Sequence, residues 1–77
     1  MIASLVEMRP RQRGTVVAVG GGPGRVAQLQ AMGLRPGVMV EKLSSQPLRG
    51  PVTLRVGRTE LAVGFGIARR IEVETGE

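Results

Sequence analysis

The sequence contains neither cysteine nor histidine, two side chains that supply much of the catalysis and metal binding in proteins. Without cysteine there is no disulfide framework and no thiolate metal site. Without histidine, the commonest base at neutral pH and the commonest metal ligand are both missing. No carboxylate pair stands at a spacing typical of catalysis, so we expect no enzymatic activity, no cofactor and no metal site.

Long hydrophobic runs are also missing. No apolar stretch approaches the roughly 20 residues of a membrane-spanning helix, and residues 1–6 lack the basic start of a secretory signal. The 77 residues suit a single domain, 1–77, whose small core hides about 60 to 65% of the extended chain's surface. We expect a complete protein that works in the cytoplasm.

Aromatic rings are reduced to Phe65, whereas arginine is abundant and the net charge is +5. This charge suggests a small basic barrel that binds nucleic acid, which we keep as the alternative function. Small barrels that bind single strands use stacking rings, however, and scattered charges commonly face solvent. For the densest basic cluster, formed by Arg9, Arg11 and Arg13, we favour a solvated loop.

One stretch, residues 23–33, favours a helix. Pro23 follows a glycine-rich break and has the backbone angle of a first helical position. Gly33 suits the left-handed conformation that ends a helix, after which Leu34 packs back on Leu29. A helix this short is marginal in water, so it must dock on the strands. Its narrow apolar stripe consists of Val26, Leu29 and Met32.

The glycine-rich stretch 20–24 has two interpretations. A glycine loop that opens a helix can hold a phosphate with backbone amides. The Walker pattern is missing, however, and Arg25 stands where the dinucleotide fingerprint has its third glycine. We therefore favour a simple connection between strand and helix.

The remaining sequence favours short β-strands separated by turns. Residues 4–8 form either a turn or a short first strand, and residues 67–70 one helical turn. Closing or curling a small sheet hides its edges, so we predict a mainly β fold, a small barrel of about five strands with one short α-helix. The predicted strands are residues 15–19, 38–43, a hairpin over 52–63, and 71–74.

The hairpin has a defined register. Gly57 and Arg58 form a two-residue turn with glycine first, as a type II′ turn requires. This turn fixes the facing residues on both sides of the hairpin. The predicted pairs are Leu54 with Leu61, Val52 with Val63, Arg55 with Glu60, and Thr53 with Ala62.

These residues together resemble the FeoA family, small cytoplasmic accessory proteins of bacterial ferrous iron transport. The resemblance runs from about residue 5 to residue 73 and is most specific after Leu29, where the chain matches the family's Met-Gly-Leu-x-Pro-Gly at residues 32–37. The supporting features are Gly14 before a strand, Pro47-Leu48 with Pro51-Val52, Leu61-Ala62-Val63 before a glycine, and Ala68 followed by Ile71 and Val73.

The resemblance implies an SH3-like barrel that works by binding and has no chemistry of its own. The implied partner is the cytoplasmic GTP-binding part of FeoB, a membrane transporter of ferrous iron, which would make the chain an accessory or regulatory protein. The same domain ends iron- or manganese-responsive repressors, which carry a DNA-binding part in front of it. Because nothing precedes Met1, we favour the transporter role.

For partner contacts we choose the outward side of the helix and the adjoining loop, because arginine is favoured at interfaces and Leu48 has no evident core partner. The chosen residues are Arg25, Gln28, Arg35, Leu48 and Arg49. Met39 and Leu43 leave a weak homo-oligomer open. We expect no iron site, since thioethers prefer softer ions, and we expect the four methionines to fill the core.

Overall fold

A computed structural model describes residues 1–76, and Glu77, the last residue of the predicted domain, lies outside the described residues. This part of the chain forms six strands and two short helices, neither of them long and apolar enough to span a membrane. In chain order the elements are β1 (Ile2–Ser4), β2 (Arg13–Val19), α1 (Pro23–Ala31), β3 (Met39–Ser45), β4 (Val52–Val56), β5 (Thr59–Val63), α2 (Phe65–Ala68) and β6 (Ile71–Glu74).

All the strands belong to one antiparallel sheet with the order β1-β6-β2-β3-β4-β5. Irregularities interrupt the register of β2 between Val16 and Ala18 and that of β3 between Lys42 and Ser44. Such bulges bend and twist a strand, which helps a small sheet to curl. The predicted mainly β fold is confirmed. Of residues 4–8, which the sequence leaves open between a turn and a short strand, residues 5–8 form a turn, and β1 is an edge strand that the sequence does not predict.

The core lies on the inner face of this sheet. β4 buries Val52 and Leu54, and β6 buries Ile71 and Val73, so each strand gives every second residue to the interior. Full burial of a side chain such as leucine or valine stabilises the fold by about 1.5–3 kcal/mol. The complete buried apolar set is Leu5, Met8, Val16, Leu29, Leu34, Val40, Val52, Leu54, Val63, Ala68, Ile71 and Val73.

Helix α1 ends as the sequence predicts. The backbone N–H of Leu34 donates to the carbonyl of Leu29 at 2.9 Å, and that of Gly33 donates to Gln30 at 3.0 Å, while Gly33 has φ +95°. This pair of bonds is a Schellman ending. Leu29 and Leu34 are both buried, so the end of α1 anchors the helix to the sheet.

The hairpin of β4 and β5 has the predicted register, with Leu54 opposite Leu61 and Arg55 opposite Glu60. Gly57 has φ +60° whereas Arg58 is not left-handed, which is the conformation of a type II′ turn. The ion pair across the hairpin joins Arg55 to Glu60 at 3.1 Å.

The close approach of β2 and β6 requires a glycine at position 14. A Cβ atom at this position would lie 2.4 Å from Cγ1 of Val73 and 2.5 Å from the carbonyl oxygen of Glu74. Real Cβ atoms do not approach other atoms so closely, so any larger residue here would push the two strands apart.

The prediction that the methionines fill the core is wrong for three of the four. Met8 is buried, but Met1, Met32 and Met39 are exposed. Met32 is the C-cap residue of α1, directly after its last turn, and its side chain is exposed. Met39 alternates with buried Val40 along β3 and therefore points outward.

Candidate partner-binding surface

A groove of about 470 Å³ lies where α1 and α2 meet the end of the sheet. It forms because Val19 pairs with Ile71 and the N–H of Gly20 donates to the carbonyl of Arg70 at 3.0 Å, so the segment leaving β2 runs beside the segment entering β6. We call it the arginine groove. Its lining residues are Gly20, Gly21, Arg25, Gly64, Gly66, Ile67, Arg69 and Arg70.

Three arginines give this groove its charge. Arg25 comes from α1, and Arg69 and Arg70 follow α2. All three side chains are exposed, and none forms an ion pair with a carboxylate of residues 1–76. The described lining contains no acidic residue. The groove therefore presents three unneutralised positive charges to solvent.

The turn between β3 and β4 lies beside the groove. It is a tight turn over residues 47–50, in which the N–H of Gly50 donates to the carbonyl of Pro47 at 3.2 Å. Leu48 and Arg49 occupy its two central positions with φ of 59° and 60°. This is a type I′ turn, which prefers asparagine and glycine, and each left-handed residue of another type costs about 1–2 kcal/mol. The turn is therefore strained.

Leu48 is 98% exposed at the tip of this turn. Its exposure was expected from the sequence, and the structure confirms it. Arg49 turns toward α2, where its guanidinium carbon lies 5.7 Å from the centre of the Phe65 ring. Such a cation–π contact contributes about 0.5–1 kcal/mol at an exposed site. It connects the turn to the groove, because Phe65 stands between Gly64 and Gly66 of the groove lining.

The structure brings together some of the residues that the sequence proposed for partner contacts and separates another. Arg25 lines the groove and Arg49 contacts Phe65 beside it, whereas Leu48 projects into solvent at the tip of the same turn. Gln28 is exposed one turn further along α1. Arg35 is exposed beyond the other end of α1, and no contact of the described residues joins it to the groove.

A second arginine cluster lies on the outer side of β2, β3 and β4. Glu41 is only 13% exposed and lies 4.0 Å from Arg11, 3.9 Å from Arg13 and 3.4 Å from Arg55. The sequence favours a solvated loop for Arg9, Arg11 and Arg13, but Arg13 belongs to β2, and both it and Arg11 face this carboxylate. The charges of this cluster are therefore partly neutralised within the protein.

Sequence reasoning missed Lys42, the residue after Glu41. Its side chain is 2% exposed, and its Nζ donates to the carbonyls of Val6 at 2.8 Å and Met8 at 2.6 Å. Burial lowers the pKa of this ammonium group from its ordinary value. The alternation of β3 gave the signal, since Lys42 stands two residues after buried Val40. We call Glu41 and its three arginines on the outer side of β3, together with Lys42 on the inner side, the paired region.

No group of three or more potential metal-ligating side chains occurs among residues 1–76. The groove instead offers guanidinium groups, glycine backbone and one aliphatic side chain, Ile67. Guanidinium groups recognise carboxylates and phosphates through paired hydrogen bonds. The chemistry available at this end of the molecule is therefore the binding of anions and apolar side chains.

The strand order and the short helices place the chain in the class of small SH3-like β proteins. The model of the FeoA domain family matches residues 3–75, so the chain belongs to the FeoA family, small accessory proteins of ferrous iron transport. The resemblance seen in the sequence motifs is thus confirmed.

Solved structures agree with this assignment. A crystal structure of an iron uptake regulatory protein (FeoA) is 39% identical, with a TM-score of 0.87, and the match covers 96% of this chain and 97% of that one. The solution structure of FeoA from Chlorobium tepidum is 25% identical, with a TM-score of 0.85 and coverage of 94% and 69%. No protein of curated function matches the sequence significantly.

The same fold occurs in a manganese-dependent transcriptional repressor. That structure is 16% identical to this chain, with a TM-score of 0.84, and the match covers 96% of this chain but only 41% of the repressor. At this identity the similarity concerns the fold alone.

Proposed function

We propose that this protein is a non-catalytic accessory protein of ferrous iron transport that acts in the cytoplasm by binding the GTP-binding part of the FeoB transporter. In this proposal residues 1–77 act as one domain. Membership of the FeoA family supports the transport role. The contact surface would comprise the turn between β3 and β4 together with the neighbouring arginine groove.

One observation carries the proposal of a binding role, namely the conformation of Leu48. A leucine that is 98% exposed at the tip of a strained turn contributes nothing to the core. Strained backbone tends to cluster at functional sites, and arginine, the neighbour of Leu48 in this turn, is enriched at protein interfaces. Arg49 has the same strained backbone and is held against Phe65, which keeps the turn beside the groove.

Calorimetric titration of the protein with full-length FeoB in lipid nanodiscs tests this function. We expect saturable binding, and hydrogen exchange of the complex should show protection in the GTP-binding part of the transporter. A transporter that does not bind, or that is protected only in its membrane part, would contradict the proposal. Duplex DNA serves as a second ligand, because binding to DNA that weakens steeply with salt would favour a nucleic-acid function instead.

Substitution of Leu48 by asparagine separates binding from folding. Asparagine tolerates the left-handed conformation, so Leu48→Asn should raise the free energy of unfolding by about 1 kcal/mol. The same change removes the apolar tip and should weaken transporter binding at least tenfold. Met39→Ala is the control, because Met39 is another exposed apolar residue but lines a different depression with Arg13 and Glu41. Equal binding by wild type and Leu48→Asn would exclude Leu48 from the interface.

A further inference from the structure

The arginine groove concentrates positive charge that forms no ion pair within residues 1–76. Guanidinium groups in proteins commonly pair with carboxylates, as Arg55 does with Glu41 and Glu60. Arg25, Arg69 and Arg70 have no such partner among residues 1–76, although they converge on one groove. Holding three like charges together is unfavourable for the isolated protein. An anionic ligand would remove this cost.

The groove also admits a peptide backbone. Four of its eight lining residues are glycines, and a Cβ atom at Gly64 or Gly66 would meet nothing within 4 Å. A ligand chain can therefore approach the floor of the groove closely. Ile67 adds a half-buried apolar contact between the charges.

We propose that the arginine groove binds a carboxylate-rich segment of the protein partner. The inference rests on the proposed function for the identity of that partner. The arginines come from α1 on one side and from the connection between α2 and β6 on the other, which suits several charges along an extended segment. Arginine binds carboxylates in paired hydrogen bonds, and the planar guanidinium is favoured at protein interfaces.

Nucleic acid fits this surface less well. Proteins that bind single strands stack bases on aromatic rings, and the one ring of this chain, Phe65, is already covered by the guanidinium of Arg49. A protein segment needs no such ring. The arginines of the groove are therefore complementary in charge to carboxylates, and binding a carboxylate-rich segment needs no residue type that the groove lacks.

A pair of double variants tests the role of the groove in transporter binding. Arg69→Gln with Arg70→Gln removes two charges from the groove, whereas Arg11→Gln with Arg58→Gln removes two charges from exposed arginines that neither line the groove nor belong to the residues chosen for partner contacts. We expect the first variant to bind full-length FeoB in nanodiscs at least tenfold more weakly and the second less than threefold more weakly. Equal losses would mean that binding senses only net charge, which would overturn the inference.

Substitutions of Gly64 provide a test that leaves every arginine in place. Gly64 has φ −63° and ψ 155°, an ordinary extended conformation, and a Cβ atom there meets nothing within 4 Å. Gly64→Glu should place a carboxylate in the groove that competes with the ligand, and it should weaken transporter binding at least tenfold. Gly64→Gln has the same size without the charge and should bind within threefold of wild type. Equal binding by these two variants would contradict a site for carboxylates.

A peptide titration followed by NMR tests the ligand class without the transporter. The probes are a capped hexapeptide of alternating glutamate and aspartate, its glutamine and asparagine counterpart, and inorganic phosphate at equal ionic strength. The acidic peptide should shift the groove glycine amides and leave the distant ones unchanged, and the neutral peptide should shift neither. The groove set is Gly20, Gly21, Gly64 and Gly66, and the distant set is Gly14 and Gly57.

The outcomes distinguish the two proposals. If the acidic peptide binds in the groove but the protein does not bind the transporter, the result would support the carboxylate site and contradict the proposed function. Transporter binding that is indifferent to every groove variant would support the function and overturn the site. Phosphate alone shifting the groove glycines would define a phosphate site and overturn the carboxylate inference, as would shifts scattered over the whole protein.

Discussion

The protein has two concentrations of positive charge, and they are built differently. In the paired region, Glu41 lies between three arginines and Lys42 donates to two backbone carbonyls. In the arginine groove, Arg25, Arg69 and Arg70 have no carboxylate partner in the part of the chain that the structure describes. The same residue type thus serves the fold in one region and remains available to a ligand in the other.

The position of the acidic residues explains this difference. Glu41 stands in the middle of the sheet, where arginines of β4 and of the segment entering β2 can reach it. Among the carboxylates of β6, that of Glu74 accepts hydrogen bonds from the amino group of Met1 and from the N–H of Gly76. The bond from the N-terminal ammonium is the main cause that lowers the pKa of Glu74. This carboxylate is therefore engaged at the far end of β6 and does not neutralise the groove.

In the paired region, the largest loss of stability is expected for Lys42→Met. Methionine keeps an apolar stem of similar length but leaves the carbonyls of Val6 and Met8 without their charged donor. A buried acceptor left unsatisfied costs about 1–3 kcal/mol, so we expect the free energy of unfolding to fall by about 2 kcal/mol. Urea denaturation measures it. The control is Arg58→Met, an exposed cation in a turn, which should stay within about 0.5 kcal/mol of wild type. Equal free energies of unfolding for wild type and Lys42→Met would mean that the hydrogen bonds of Lys42 do not stabilise the fold.

A smaller loss is expected for Glu41→Gln, which leaves three arginines on β2, β4 and the preceding loop without their shared carboxylate. Two of these arginines are exposed, and solvent screens exposed pairs, so we expect a loss of about 1 kcal/mol in the free energy of unfolding. The loss should shrink as sodium chloride is raised, because salt screens the interactions. Glu72→Gln, at an exposed glutamate of β6, is the matched control and should have little effect. A loss that is independent of salt would argue for a packing defect instead.

The pH dependence of stability separates Lys42 from the arginines. Because burial lowers the pKa of Lys42 in the folded state, the unfolded chain binds more protons than the folded chain between that lowered value and the ordinary lysine value of 10.5. The free energy of unfolding should therefore rise with pH through this window, by at most about 1.4 kcal/mol per pH unit for one proton. Lys42 is the only lysine, and tyrosine, cysteine and histidine are absent, so few other groups titrate there. The Lys42→Met variant should lack the rise, and NMR of the single lysine side chain should give a midpoint below 10.5.

Much of the fold could be predicted from the sequence because it depends on local signals. The Gly57-Arg58 turn fixed the register of β4 and β5, and Gly33 with Leu34 fixed the end of α1. Strand β1 was not predicted, since its three residues carry too little periodicity, and the possible first strand was placed at residues 4–8 instead. The exposure of Met32 and Met39 was not predicted. Methionine can fill irregular gaps in a core because it is flexible, but its residue type does not indicate whether the side chain points inward or outward.

The candidate site was harder to predict, because it joins residues that are distant in sequence. The glycines at 20–24 and Arg25 lack the Walker and dinucleotide patterns, so their local sequence does not indicate an anion site. Arg69 and Arg70 reach the same groove only because β2 and β6 are neighbours in the sheet, a pairing between the second and the last strand that no local signal specifies. Lys42 was missed for a related reason, since its partners are carbonyls of the segment after β1.

The smallest effect on the free energy of unfolding is expected for the double variant Arg69→Gln with Arg70→Gln. This variant tests directly whether the two charged regions differ. Neither side chain has a partner among the described residues, so their removal should change the free energy of unfolding by no more than about 0.5 kcal/mol. At low salt the change should be toward higher stability, because repulsion with Arg25 is reduced. Urea denaturation at two salt concentrations measures it beside Glu41→Gln. A loss as large as that of Glu41→Gln would mean that the groove arginines also hold the fold together, and the two regions would then no longer differ in kind.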